Sequence, residues 1–325
     1  IHAVDHLLRV TGANRLILSG GVALNALASM RLLEHFDEAW FARAQQREAR
    51  LHLWVPPTPS DPGVPIGAAW WLAHLAGAPP GAAETHAFYC GTAPTGDDIA
   101  SVLAAAPDLA SDSIGTVATP NGRDAVADLM AYCVASGGIV ALCQGPGETG
   151  PRALGHRSIL ANPCDPDTRE RLNARVKYRE KIRPLAPMAT LEAAKEVFEL
   201  HDGASDGNYN AYNYMVLTAH SKPAAIAKIP SVVHADGTGR IQIVREDSDP
   251  LTYAYLKALG RRIGVEVSVN TSFNVAGPIA QTSEQAVETL RRSKGLDAVF
   301  MVADDGNVRA AWHGGERDSG RFTGW

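Results

Sequence analysis

Residues 145–158 read GPGETGPRALGHRS and follow directly on the apolar run Ile139-Val140-Ala141-Leu142. A glycine-proline loop leaving a strand is expected to bind an anion. Its glycines let the backbone turn sharply and present N–H groups, while Arg152 and Arg157 supply planar forks that match phosphate or carboxylate oxygens. The plainer alternative is a surface turn with two solvated arginines, and the neighbouring motifs weigh against it.

Arg152, Arg157, Lys177, Arg183 and Arg240 gather in one region of the chain. Arg152 follows Gly150-Pro151, Arg183 precedes Pro184, and Arg240 follows Gly237-Thr238-Gly239, so three of them sit in loops of special geometry rather than on helix faces. Cations fixed in this way bind several phosphoryl oxygens at once and stabilise charge that develops in phosphoryl transfer. Asn270, Thr271, Ser272 and Asn274 leave the end of an apolar strand, the edge at which ligands bind in open α/β sheets. Ser272 also suits a plain strand-end cap.

GPRALGHRSI, NARVKYREKIRPLAP, HADGTGRIQ and VNTSFNVAGPI resemble the carboxy-terminal domain of the O-carbamoyltransferases that act on antibiotics and nodulation factors. LILSGGVALNALAS and PPTPSDPGVPIGAA precede them in the family's order and resemble the end of its actin-like transferase domain. The resemblance implies an α/β chain: a fragment of an actin-like (ASKHA) α/β domain over 1–78, a linker over 79–87, a YrdC-like α/β domain over 88–302, and a tail over 303–325. It further implies that carbamoyl phosphate and ATP form carbamoyl adenylate, whose carbamoyl group passes to the hydroxyl of a small acceptor, a natural product or sugar.

Carried over by position, Arg152, Lys177, Arg183, Arg240 and Ser272 match the family's catalytic positions. Arg157, His234, Asp236, Thr238, Asn270, Thr271 and Asn274 are expected to bind substrate and nucleotide, as are Gly20, Gly21 and Asn25 at a strand-to-helix junction suited to phosphate. Asp61 occupies the position of a carboxylate that holds a divalent metal, iron or magnesium, and its plainer role is to cap the helix starting near Pro65. The family's His-x-x-x-His metal pair is expected upstream of this chain. His2 and His6 have that spacing but stand in the wrong part of the fold and read as a surface-helix pair. The chain is thus expected to be the carboxy-terminal part of a carbamoyltransferase, with the missing amino-terminal half of the same protein as its partner. One departure stands out: where relatives often read Gly-Glu-Pro-Ile, this chain has Gly277-Pro278-Ile279. Competing readings are an enzyme making threonylcarbamoyl adenylate, a hydrogenase-maturation carbamoyl enzyme, and a noncatalytic nucleotide-binding module.

At 325 residues with 46% hydrophobic content, the chain has room for two filled cores. A net charge of −5 argues against a nucleic-acid surface, which needs a basic field. The apolar stretch Ile66 to Ala78 is too short to span a bilayer. No cleavable signal is read at the start, although the chain opens on Ile1 rather than Met. Cys90, Cys133, Cys143 and Cys164 show neither C-x-x-C nor zinc spacing, which fits reduced thiols in a cytoplasm.

Strands are expected at 15–18, 51–55, 139–143, 241–244, 265–269 and 297–302. Helices are expected over an opening segment, from about Val22 to Phe36, from Pro65, over Gly122 to Ser136 with Gly137 as a stop, and over Pro166 to Arg179 with Asp165 as N-cap. A last helix, Ser283 to Ser293, stands behind a Thr282/Gln285 capping box. AGAPPGAAE at 76–84 reads as a linker, and from Ala303 glycine and charge suggest a loose tail ending at Trp325.

Overall fold

A computed structural model describes residues 1–79, 89–202 and 210–314. The chain is α/β and is organised by an eight-stranded mixed sheet. Numbered along the chain, its strands lie in the spatial order β10 (Gln242–Val244), β6 (Ala186–Thr190), β11 (Val267–Ser272), β5 (Arg157–Ala161), β4 (Val140–Cys143), β12 (Ala298–Val302), β13 (Asn307–His313) and β3 (Leu109–Thr116). The pairs β10–β6 and β4–β12 are parallel and the other five are antiparallel.

Both faces of the central strands are buried, so their sequences read as continuous apolar runs rather than alternations. Val140, Leu142, Leu160, Ala298, Phe300 and Val302 join one core with the helices Pro120–Ala135 and Pro250–Ile263. Ala141, Cys143, Ile159, Ala161, Val299 and Met301 join the other. Phe300 is fully buried, and truncating such a side chain costs about 3–5 kcal/mol.

Residues 1–79 add a two-stranded parallel sheet, β1 (Arg15–Ile17) with β2 (His52–Trp54). Ala23, Leu33, Leu53 and Val55 of this segment belong to the same buried cluster as Ile159 and Val269 of the large sheet. Thr218 N–H donates to Ala26 O at 3.3 Å across the same contact. A small antiparallel sheet is formed by β7 (Phe198–Glu199), β8 (Ala219–Ser221) and β9 (Thr238–Gly239).

The expected helix 22–36 is broken. A 3₁₀ turn, Gly21–Leu24, precedes the helix Ala26–His35, because Asn25 leaves helical geometry and its Oδ1 accepts from Ala28 N–H at 3.1 Å. The expected helix 166–179 shrinks to Thr168–Arg171 followed by a π-turn, Leu172–Val176. Asp165 is not its cap: its Oδ1 accepts from Asp167 N–H at 2.9 Å and its Oδ2 pairs with Arg171 at 2.6 Å, a local turn that competes with helix. The helix 120–135 carries Thr119 as cap and Pro120 in its first turn, Gly137 takes φ 88° after its end, and the Thr282/Gln285 capping box is present.

The tail reading needs correction. Asn307–His313 is strand β13, inserted between β12 and β3 with Val308, Ala310 and Ala311 buried. The linker reading falls mostly on residues 80–88, outside the described residues, as does 315–325 of the tail. The helix Gly63–Leu75, whose first turn holds Pro65, buries none of its residues and leaves Trp70, Trp71, Leu72 and Leu75 more than half exposed. His2 and His6 lie exposed on the opening helix His2–Thr11. Among the described residues, no helix is long and apolar enough to cross a membrane.

Candidate active site

The loop between β4 and β5 is pinned from inside by two opposite charges. Glu148 is buried, and its Oε1 accepts backbone N–H bonds from Leu154 at 2.8 Å, His156 at 2.8 Å and Arg157 at 3.0 Å. Arg157 is fully buried and donates to the carbonyls of Gln144 (2.6 Å), Gly145 (3.1 Å), His156 (3.0 Å), Thr92 (3.1 Å) and Gln281 (3.0 Å). The anion takes the loop's amides and the cation takes its carbonyls. Tyr89 stacks on the His156 ring, with centroids 3.6 Å apart, and donates its hydroxyl to Leu154 O at 3.1 Å. Gly155 sits at φ 112°, where a Cβ would approach Asp249 Oδ2 to 2.6 Å, so only glycine closes this turn.

Two expectations change accordingly. Arg157 spends its donors on the protein's own backbone and has none aimed at a ligand. The N–H groups of 154, 156 and 157 are occupied by Glu148 and are not free for a ligand.

Four further cations, Arg152, Lys177, Arg179 and Arg240, form a chain of mutually repelling charges. Burial pushes Arg240 down to about 10, and the nearby charges of Arg152 and Arg179 add to the shift. Arg152 is lowered by burial, and Arg179 by burial and by the neighbouring Arg183, against a raising effect of Glu180 beyond ion-pair distance. Lys177 is 6% exposed, and burial first, then Arg179, pushes its ammonium down to about 7. Its Nζ donates to Ser272 Oγ at 3.2 Å, Asn274 O at 2.8 Å, Asn274 Oδ1 at 2.6 Å and the Ser272 carbonyl. Arg152 and Arg240 each bury an Nε without a partner among the described residues, where the sole hydrogen bond of the Arg152 side chain goes to Leu24 O at 3.4 Å. The adjacent Arg171, Lys181 and Arg183 each hold a carboxylate, from Asp165, Glu170 and Glu180. Among the described residues, none of the four clustered cations does.

Other expected residues stand around this cluster in supporting positions. Asn270 is buried at the end of β11 and donates to Ala153 O at 2.9 Å and Gln242 Oε1 at 2.7 Å, tying that strand to the residue beside Arg152. Ser272 Oγ donates to Asn274 Oδ1 at 2.8 Å, and Thr271 is half-buried beside them. Asn274 also lines a cavity of about 830 Å³, with Val102, Ile279 and Arg292 on its walls. In the turn before Arg240, Thr238 Oγ1 donates to Asp236 Oδ1 at 2.7 Å and lies 3.2 Å from His234 Nδ1. Burial lowers the pKa of His234, against a raising effect of Asp236, and Arg240 lowers it further.

Arg183 is different. It lies exposed, paired with Glu180 at 2.9 Å, and reaches the cluster only as a charge beside Arg179. Arg179, Glu148 and Asn173 are the residues that sequence reading passed over. Arg179 shares its loop with the chosen Lys177 and Arg183, and nothing in the order of residues separates the inward arginine from the outward one.

Gly20 and Asp61 come together in a second cleft of about 450 Å³ that also includes Trp54 and Trp70. Asn25 spends its side chain on capping the helix that follows, and Gly21 opens the 3₁₀ turn. Asp61 is exposed, and it is not a side-chain cap: only its backbone carbonyl takes part, accepting from Val64 N–H at 3.0 Å. Among the described residues, no three His, Cys, Asp or Glu side chains are grouped to hold a metal ion. These residues do not by themselves fit a metal centre.

Residues 131–304 match the model of the carbamoyltransferase C-terminus family. Nodulation protein NolO of Bradyrhizobium diazoefficiens is 33% identical over 291 residues, covering 89% of this chain and 48% of that protein. The 3'-hydroxymethylcephem-O-carbamoyltransferase of Amycolatopsis lactamdurans is 37% identical over 150 residues, covering 46% of this chain and 27% of that enzyme. The chain therefore spans about half the length of NolO and less of the cephem enzyme. Among solved structures, full-length HypF in its phosphate- and nucleotide-bound form is similar at 19% identity and a TM-score of 0.34, over 59% of this chain and 24% of that one. Arg152, Lys177, Arg179 and Arg240 all fall within the span that the family model matches, and the chain belongs to the carbamoyltransferase C-terminus family.

Proposed function

We propose that the cation cluster binds carbamoyl phosphate and ATP and forms carbamoyl adenylate, the first half of an O-carbamoyl transfer to a small hydroxyl-bearing acceptor. One observation carries this reading: four cations stand close together, one buried and three partly buried, with no carboxylate in ion-pair contact among the described residues. Like charges repel and burial disfavours each of them, so the arrangement calls for an anion of several charges to complete it. The matched family and the name of the cephem relative support the reaction class. In this reading residues 1–78 are the end of an actin-like domain, and the sheet from 88 onward, extended to include β13, is a YrdC-like domain.

Water cleaves carbamoyl phosphate to carbamate and phosphate. A carbamate oxygen then attacks the α-phosphorus of ATP, the bond from that phosphorus to the β-phosphate bridging oxygen breaks, and pyrophosphate leaves. Arg152, Arg179 and Arg240 hold phosphoryl oxygens and stabilise the charge that spreads over them in the transition state. Lys177, oriented by Ser272 and Asn274, adds a compact charge when protonated. An acceptor hydroxyl would finally attack the carbamoyl carbon and release AMP, and none of the residues described above is assigned to that step.

The test is pyrophosphate release from ATP with and without carbamoyl phosphate. Release that depends on carbamoyl phosphate is expected. Binding of ATP without any release would favour a noncatalytic nucleotide module, and release with threonine and bicarbonate instead would move the chain to the threonylcarbamoyl-adenylate class.

A further inference from the structure

Lys177, Arg179 and Arg183 follow one another on a single short loop, yet each takes a different environment. Lys177 is buried against Ser272 and Asn274, Arg179 is half-buried inside the cluster, and Arg183 is exposed. The loop starts from the π-turn Leu172–Val176, a distortion that helices retain mostly at functional positions. It then passes through Tyr178 at φ 47°, a left-handed conformation that a non-glycine residue keeps only when its surroundings impose it.

Asn173 supplies much of that constraint. It is fully buried inside the π-turn. Its carbonyl accepts from Arg179 N–H at 3.0 Å and its Oδ1 accepts from Arg179 Nε at 2.7 Å. Its Nδ2 donates to Lys181 O at 3.2 Å and Arg183 O at 2.9 Å. One buried amide thus closes the whole loop on itself. Nε is the only side-chain nitrogen of Arg179 with a protein partner among the described residues, so the bond to Asn173 fixes the guanidinium plane and leaves its outer edge to the cluster.

We infer that Asn173 is a positioning residue that aims Arg179 at the bound phosphoryl groups, an inference that rests on reading the cation cluster as an anion site. A residue acting through another leaves a signature that a merely structural residue does not: its effect on binding vanishes once the residue it acts through is removed. Asn173→Ala, Arg179→Ala and the double variant would be compared with the wild-type chain for affinity towards ATP and inorganic pyrophosphate, with thermal unfolding followed in parallel. Asn173→Ala should weaken both ligands by about tenfold, as expected for one lost charge-assisted contact. In the Arg179→Ala background it should weaken them by less than about twofold.

Additive losses, or unchanged affinity in Asn173→Ala, would overturn the inference. A wild-type chain that binds neither ligand would instead sink the anion-site reading beneath it. If Asn173→Ala does not fold, Asn173→Gln decides the matter, because it keeps a neutral carbonyl acceptor for Arg179 Nε while its longer stem disrupts the fit of the donors to Lys181 and Arg183. Affinity within about threefold of wild type despite a lower unfolding temperature supports the aiming role, and a loss as large as that of Arg179→Ala overturns it.

Discussion

Arg157 and Arg152 stand five residues apart on one loop, and both are withdrawn from water, but they do opposite work. Arg157 is surrounded by carbonyls that use its donors, so its burial is complete without any ligand. Arg152 lies near enough to Arg240 to depress it, and its side chain has almost no protein partner among the described residues. Burial of a charge is therefore no sign of a site; the sign is burial with its partners missing. A saturated cation stabilises the fold, whereas an unsaturated cluster costs stability until its ligand arrives.

The largest expected effect tests the saturated side. Arg157→Met should destabilise the chain by about 3–5 kcal/mol, the cost of removing one member of a buried charged network and stranding the carbonyls it satisfied. The midpoint of urea unfolding reads this directly, and a shift equivalent to under about 1 kcal/mol would erase the contrast between the two arginines.

On the unsaturated side, Arg240→Met should leave unfolding unchanged or raise its midpoint, while ATP and carbamoyl phosphate bind roughly ten- to hundredfold more weakly. Calorimetry alongside denaturation checks both halves. A variant that loses stability and keeps its affinity would place Arg240 with Arg157. Arg152→Lys refines the same point: charge is kept and the fork lost, so affinity should fall by about tenfold if the contact is bidentate.

Lys177 sharpens the comparison through pH. Its folded pKa of about 7 lies below its ordinary value of 10.5, so between those two values the unfolded chain binds the extra proton and stability should rise with pH. Anion affinity should run the other way, falling as pH rises above about 7 because the bound phosphate needs the ammonium. In Lys177→Met both slopes should flatten. An affinity independent of pH in the wild-type chain would mean that Lys177 stays charged throughout or lies outside the ligand's reach.

The smallest effect is expected at Asp61. Asp61→Asn should leave pyrophosphate release nearly intact, since its cleft, with Gly20 and Trp54, is lined by none of the clustered cations. A large loss in this half-reaction would join the Asp61 cleft and the cation cluster into one site.

Much of the fold was legible because buried strands of this sheet are short apolar runs and several helices carry explicit caps. Illegibility has local causes. β3 reads Leu-Ala-Ser-Asp-Ser-Ile-Gly-Thr, a polar edge strand with little buried surface to betray it. β13 was hidden by the charge and glycine around it, although Val308, Ala310 and Ala311 are buried. The expected helix after Asp165 failed because that side chain bonds the next turn instead of capping. Around the cation cluster, Arg152 and Arg240 drew notice through their glycine-flanked loops, as Arg183 did although it lies exposed, while the Ser272–Asn274 segment drew notice through the strand it leaves and Lys177 through its motif. The sequence could not distinguish Arg157 from Arg152, or Arg179 from Arg183, because those differences lie in which carbonyls and carboxylates the fold brings to each guanidinium.

The placement of β13 decides where this polypeptide can be cut. A truncation after residue 304, where the match to the family model ends, would remove a strand from inside the sheet rather than a tail from its end. Among the described strands β3 pairs only with β13, so it would detach as well, and the flank of β12 would be laid bare along Ala298–Val302. That flank is apolar and regular, a ready template for pairing with another chain. Insoluble aggregation of such a fragment would then report the missing strand and would say nothing about the ligand site.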